Sequence, residues 1–275
     1  MHDRLSVHAV CFSGADFREL SASWKELGAR RVSLVSHLLL DEGLQAAREA
    51  LRAGQCSVES ITHPFMPGRH LEQREESWRD DRNTLTRVIE AAKSLGARSI
   101  YLLSGGHGSL TWEAAAEAFR DAIAPCVIQA REAGVDLMVE NSAALYADVH
   151  IAHTLRDTIT LAELAGVGVC IDLFACWTEA GLRESIERAM PRCQLVQVSD
   201  YVYGDRSMPC RAVPGDGAIP IKQILEWTLR AGYAGRFDIE LIGPRIDAEG
   251  RLQAVRRSAD KLGEILRELL DGFQR

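Results

Sequence analysis

No two cysteines form a C-x-x-C pair, and the seven present (Cys11, Cys56, Cys126, Cys170, Cys176, Cys193, Cys210) are an odd, scattered set. Such a set argues against a disulfide framework or a structural zinc site and predicts reduced thiols buried as small apolar side chains. Runs of Lys or Arg interleaved with aromatics are missing, so no surface is expected to track the backbone of a nucleic acid. No apolar stretch reaches the roughly 20 residues that a bilayer demands, and no membrane span is expected. The opening residues, Met1-His2-Asp3-Arg4, run into a strand-like segment without a cleavable signal pattern, which makes the cytoplasm the expected location. There is no linker or low-complexity stretch, and no Gly-x-Gly-x-x-Gly turn follows an early strand, as a doubly wound dinucleotide-binding sheet would require.

What remains is an ordinary globular composition. Of 275 residues, 47% are apolar and 26% charged, and 32 basic against 39 acidic side chains leave a net charge of only -7, which excludes disorder. Short β-type runs alternate with longer amphipathic stretches, and the alternation repeats eight times. The strand runs are Leu5 to Phe12, Arg31 to Ser36, Ser57 to Phe65, Arg98 to Leu103, Val135 to Glu140, Val167 to Leu173, Gln194 to Ser199 and Arg236 to Leu241. Helical periodicity follows each, over residues 16–28, 41–54, 72–96, 112–134, 154–165, 179–190, 220–231 and 247–273. Gly54, Gly96, Gly134, Gly166 and Gly235 stand where helix C-caps are expected. Eight such units, with nearly continuous apolar strands, predict a single (β/α)8 TIM barrel made of one domain, residues 1–275.

In such a barrel the chemistry lies where the strands end. The fifth strand ends in Glu140-Asn141, the sixth carries Asp172, the seventh Gln197 with Ser199 and Asp200 following, and the eighth Glu240. A carboxylate in an apolar run is costly to bury alone. One such acid is readily explained by an Arg partner or a helix cap. Three with a carboxamide, on four consecutive strands, form an oxygen-rich set suited to a hard divalent cation, Mn²⁺ or Mg²⁺, with Co²⁺ as a further candidate.

The segments Val139-Glu140-Asn141, Cys170-Ile171-Asp172, Val196 to Asp200, Pro214 to Pro220 and Gly232 to Leu241 resemble those of the sugar phosphate isomerase/epimerase superfamily, the xylose isomerase-like TIM barrels. These include ketose 3-epimerases, inosose dehydratases, 3-dehydroshikimate dehydratases and AP endonucleases. The resemblance covers essentially the whole chain. It implies a divalent metal, Mn²⁺ foremost, held by Glu140, Asp172, Gln197 and Glu240, with Gln197 standing where epimerases have His. It further implies that Glu140 and Glu240 act as an acid/base pair on either side of a substrate carbon, passing through an enediolate. The same intermediate supports dehydration when a β-hydroxyl can leave, and Gln197 is a feature expected in the dehydroshikimate dehydratase branch. That branch's histidines beside the ligands are absent, since Asn141-Ser142 follow Glu140 and Leu173-Phe174-Ala175 follow Asp172. The multi-metal His set of the endonucleases is also missing.

For substrate contacts, His63 at the end of the third strand, His107 in the Ser104 to Gly108 loop and Arg211 before the Pro214 to Pro220 turn are the candidates, with His37 and Arg206 as competitors. His107 lies in a loop expected to be flexible. Gly215 and Gly217 are expected to form a turn, with phosphate cradling as the alternative. Trp112 and Trp177 follow strand ends and are candidates for pocket walls or core. His150 and His153 read as surface or cap residues. The expected ligand is a small polyhydroxy ketone or cyclic keto compound, and homo-oligomers are common in this group. Three functions compete: a metal-dependent isomerase or epimerase, a dehydratase using the same enolate, and a non-catalytic barrel that has lost its metal.

Overall fold

The computed structural model describes residues 1–71 and 78–273. Its strands are β1 Leu5–His8, β2 Arg31–Val35, β3 Ser57–Pro64, β4 Ser99–Leu103, β5 Asp136–Glu140, β6 Gly168–Asp172, β7 Cys193–Val198 and β8 Arg236–Ile239. They follow one another in sequence order as a closed barrel, the single (β/α)8 architecture read from the alternation. Every strand pairing described is parallel. Parallel strands covered by helices are buried on both faces, so β6 is buried at all five positions and shows no polar alternation.

Helices follow the strands: α1 Phe17–Leu27, α2 Ser36–Gly54, α3 Arg79–Leu95, α4 Trp112–Ala133, α5 Leu155–Ala165, the one-turn α6 Leu173–Cys176, α7 Leu182–Ala189, α8 Ile221–Arg230, α9 Pro244–Glu249 and α10 Arg251–Phe273. The helix expected over 72–96 falls partly on residues 72–77, outside the described residues. Local chemistry sets several boundaries. A capping box between Asp16 and Glu19 starts α1, and left-handed Gly96, Gly134 and Gly166 end α3, α4 and α5. Gly54 and Gly235 depart from the expected cap role. Gly54 is still helical and Gln55 takes the left-handed position, while Gly235 lies against the Tyr233 ring, where any Cβ would collide.

Several boundaries differ from the sequence reading. Residues Ala9–Phe12 leave the first strand for a 3₁₀ turn, with the Val10 N–H donating to His8 Nδ1. Helix α2 begins at Ser36, five residues early, and Gly43 (φ 87°) joins its two helical pieces at a kink. The closing helix is broken at Gly250 (φ 97°) into α9 and α10. Strand β8 stops at Ile239, so Glu240 is the first residue beyond it.

The chain divides into two compact units. One comprises Met1–Glu59 with Leu195–Arg275, the other Ser60–Gln194. The terminal unit has its own apolar interior, including Leu5, Trp24, Leu34, Phe237 and Leu262, and the central unit another, including Ile61, Phe65, Phe119, Met138 and Ile171. All seven cysteines are free, as the scattered set without a C-x-x-C pair led one to expect; Cys11, Cys126, Cys170 and Cys176 are buried, whereas Cys56, Cys193 and Cys210 are only half-buried. Among the described residues, no helix is long and apolar enough to cross a membrane.

Candidate active site

In the central unit, Glu140 and Asp172 are the last residues of β5 and β6, 7% and 2% exposed. Glu140 is the register partner of Cys170. Asp172, two residues further along, therefore has the same facing, because strand side chains alternate with a period of two. The side chain of fully buried Asn141 continues the pairing past the strand ends. Its Nδ2 donates to the Asp172 carbonyl at 2.8 Å and its Oδ1 accepts the Asp172 N–H at 2.9 Å. Asp172 Oδ1 accepts the Phe174 N–H and caps α6. Burial, with Glu179 and Asp172 nearby, pushes the Cys176 thiol well up, so it is a packed neutral group rather than a nucleophile.

His150 corrects the expectation of a surface or cap residue. It is fully buried, with Nε2 2.7 Å from the Glu140 carbonyl and Nδ1 2.9 Å from the Ser104 amide nitrogen. His153 is half-buried, with Nδ1 3.3 Å from the Ser142 carbonyl oxygen. His63, the register partner of Leu102, is 3% exposed, and burial lowers its pKa to about 4, keeping it neutral at physiological pH. His107 is half-buried. Its loop is pinned rather than loose: the Gly105 N–H donates to Val149 O, the Gly106 N–H to Arg69 O and the Leu71 N–H to Gly106 O. Trp112, the first residue of α4, donates its indole N–H to the Ile151 carbonyl at 2.9 Å and so braces the segment between β5 and α5.

In the terminal unit, Gln197 on β7 is fully buried and is the register partner of Asp238 on β8. Glu240 lies two residues beyond Asp238, with its side chain 12% exposed. The Arg211 guanidinium spans the site, with Nη2 3.3 Å from Glu240 Oε2 and Nη1 donating to Ser199 Oγ at 3.0 Å. The residue expected to clamp substrate is thus engaged by a site acid. Buried Cys11 brackets Glu240 from the backbone side. Its Sγ accepts the Leu241 N–H at 3.2 Å and donates to the Ile239 carbonyl at 3.3 Å, and burial raises its pKa, preserving the S–H donor.

Two terminal-unit residues escaped the sequence reading. Asp238 is fully buried and bonded by Ser6, and burial pushes its pKa up to about 8. His8 ends β1, 1% exposed, and burial followed by the nearby Arg211 charge takes its pKa down to about 3.

Asp200 decides the role of the Pro214 to Pro220 loop. Its Oδ1 accepts the N–H groups of Tyr201 (2.8 Å) and Ile219 (3.0 Å), and its Oδ2 those of Gly215 (2.9 Å) and Gly217 (3.0 Å). The two glycines form a turn around this carboxylate, and a Cβ at Gly217 would run into Asp200 and the Tyr201 carbonyl. The competitors for substrate contact lie outside. His37 is exposed in the first turn of α2, and exposed Arg206 donates to Tyr201 Oη.

Glu140 and Asp172 in the central unit, and Glu240 in the terminal unit, are carboxylates of the kind that can hold a metal ion. The donors suit a hard cation: they are oxygen only, and largely withdrawn from water, where an anion needs a counter-charge. Arg211 brings one positive charge against Glu240.

A family model described as xylose isomerase-like TIM barrel matches residues 17–265. No curated protein sequence matches the chain significantly. Among solved structures, a protein of Sinorhizobium meliloti 1021 is 24% identical, with TM-score 0.79 over 97% of this chain and 98% of that one. The IolI protein with a bound zinc atom is 14% identical, with TM-score 0.80 over 97% and 99%. The 3-keto-D-glucoside 4-epimerase YcjR of E. coli is 17% identical, with TM-score 0.75 over 94% and 98%. At these identities the likeness to the solved structures is one of fold.

Proposed function

The chain belongs to the xylose isomerase-like TIM barrel family, and from that premise we propose that it is a divalent-metal-dependent isomerase or epimerase of a small polyhydroxy ketone. The observation that carries this reading is the set of site acids, Glu140, Asp172 and Glu240, at the ends of β5, β6 and β8. Glu140, Asp172, Glu240 and the Gln197 amide oxygen are the residues that would hold the cation, Mn²⁺ first and Mg²⁺ or Co²⁺ as substitutes. When bound, such a cation supplies positive charge where oxyanion character develops on the substrate.

The chain's own groups do the proton work. One glutamate, Glu140 or Glu240, removes the proton from the carbon beside the carbonyl, and the other returns a proton to the same or the adjacent carbon. The Arg211 guanidinium, 3.3 Å from Glu240 Oε2, orients that carboxylate. His63, neutral and buried, offers a hydrogen bond to a substrate hydroxyl without bringing charge, and His107 and Arg211 complete the proposed substrate contacts. Several structural neighbours are epimerases by name, among them an L-ribulose 3-epimerase and a D-psicose 3-epimerase with D-tagatose.

Elimination of water from the same enolate is a second reading, favoured by Gln197 in place of His. One experiment separates the two. The purified protein, with Mn²⁺, Mg²⁺ or Co²⁺, is incubated with ketoses and cyclic polyhydroxy ketones in D₂O. Solvent deuterium at the carbon beside the carbonyl in an isomeric product supports the isomerase, and a product lacking one water supports the dehydratase. Glu140→Gln and Glu240→Gln are each expected to lower turnover by about 10³-fold or more. Full activity in either variant, or no divalent metal bound by the wild type, overturns the assignment.

A further inference from the structure

His150 lies between β5 and α5, ten residues after Glu140, with no exposed surface. Each ring nitrogen faces a backbone group whose role is fixed, and Nδ1 also lies 2.9 Å from Ser104 Oγ, whose hydroxyl donates to the Gly105 carbonyl. The Ser104 N–H can only donate, so Nδ1, at 2.9 Å, is the acceptor and carries no proton. The Glu140 carbonyl can only accept, so Nε2, at 2.7 Å, carries the proton and donates it. One neutral tautomer satisfies both contacts.

The bond falls on the peptide that follows the Glu140 Cα, at the last residue of β5, where described pairing with β6 ends at Glu140 and Cys170. The imidazole therefore ties the end of β5 to Ser104, the first residue after β4. The clamp is itself held. The Ile151 N–H donates to Ser104 Oγ at 3.2 Å, the Ser142 N–H donates to the Ala152 carbonyl at 3.0 Å, and the Trp112 indole N–H donates to Ile151 O. The His153 ring stands edge-on to His150, centroids 6.3 Å apart. A peptide plane held on its carbonyl fixes the direction of the Cα–Cβ bond, and with it the path of the carboxylate.

We infer that His150 is a positioning residue for Glu140, aiming its side chain by a hydrogen bond to its carbonyl. The inference rests on the proposed function, in which Glu140 is a ligand and an acid/base group. Misplacing a reacting group by about 1 Å costs on the order of 10² in rate, and removing a group that orients a metal ligand typically costs about 10- to 100-fold in metal affinity.

Two variants split the ring's two bonds. His150→Gln places an amide N–H near the Nε2 position and keeps the donor to Glu140. His150→Asn places an oxygen near Nδ1 and keeps only the acceptor for Ser104. Both lose one bond and some packing, so similar drops in Tm are expected. His150→Asn is expected to lower kcat by about 10²-fold with little change in KM, and to weaken Mn²⁺ binding by about tenfold in titration calorimetry. His150→Gln is expected to recover most of both. In ¹⁵N NMR of the wild type, His150 is expected as the Nε2–H tautomer with a slowly exchanging proton.

A Nδ1–H tautomer overturns the inference. So do equal kcat and Mn²⁺ losses in the two variants tracking Tm, or variants as active as the wild type. If the wild type binds no divalent metal and exchanges no substrate proton, the functional reading falls and the inference with it; an active wild type with indifferent variants removes the inference alone.

Discussion

The two units hold their site acids by different means. In the central unit Glu140 is gripped at its carbonyl by His150, and the peptide of Asp172 exchanges two hydrogen bonds with the Asn141 side chain. In the terminal unit Arg211 lies against the Glu240 carboxylate itself, while Cys11 bonds the backbone on either side. A grip on the peptide sets direction without bringing charge. An ion pair brings charge, and a cation arriving at Glu240 must share that carboxylate with the guanidinium. The difference teaches that the terminal unit carries part of its own charge compensation.

The sharpest way to break this contrast is Arg211→Met. With Arg211 and Glu240 each only about a tenth exposed, removing the cation is expected to cost about 3 kcal/mol by urea unfolding without metal. Saturating Mn²⁺ is expected to restore part of that loss. A cost below about 1 kcal/mol, or no response to Mn²⁺, would show that the pair compensates little.

A second test asks whether the units respond alike to acid. His8 and His63, one in each, have folded pKa values lowered to about 3 and about 4. Each stays neutral when folded while its unfolded counterpart takes up a proton near pH 6.5. The stability contribution is therefore complete above about pH 6.5 and is lost as pH falls toward the folded values, by about 1.5 kcal/mol per histidine between pH 6.5 and 5. Measured stability should drop over that range, with His8→Gln and His63→Gln each flattening the slope. An unchanged slope in one variant would assign that histidine an ordinary titration.

The smallest effect is expected at Cys11. Cys11→Val removes both bonds that flank Glu240 and should cost about 1–2 kcal/mol, whereas Cys11→Ser keeps a donor and an acceptor and should retain more turnover. Equal losses in turnover would mean that sulfur packing, not bonding, holds that backbone.

The eight units were legible because each buried parallel strand is a short apolar run, and Glu140, Asp172 and Gln197 stood out as polar residues near the ends of such runs. Asp238 and His8 did not, because one polar residue inside an apolar run has no local signature of its partner: Ser6 is 232 positions from Asp238. His150 and His153 show the spacing of a helix start, and only contacts 46 and 10 residues away bury His150. Glu240 was placed inside its strand because Leu241 continues the apolar pattern after β8 has ended. The early start of α2 was not legible because residues 36–40 directly follow the apolar run of β2, and Leu38, Leu39 and Leu40 continue it.

Asp200 leaves a consequence for what the protein can recognise. Four backbone N–H groups, two of them from Gly215 and Gly217, already converge on its carboxylate. A phosphate seeking those donors would have to displace an anion tethered to the same chain. The four donors of this loop are thus filled in advance by the chain's own carboxylate. Asp200 is a covalently attached competitor, and a single substitution there would vacate the seat.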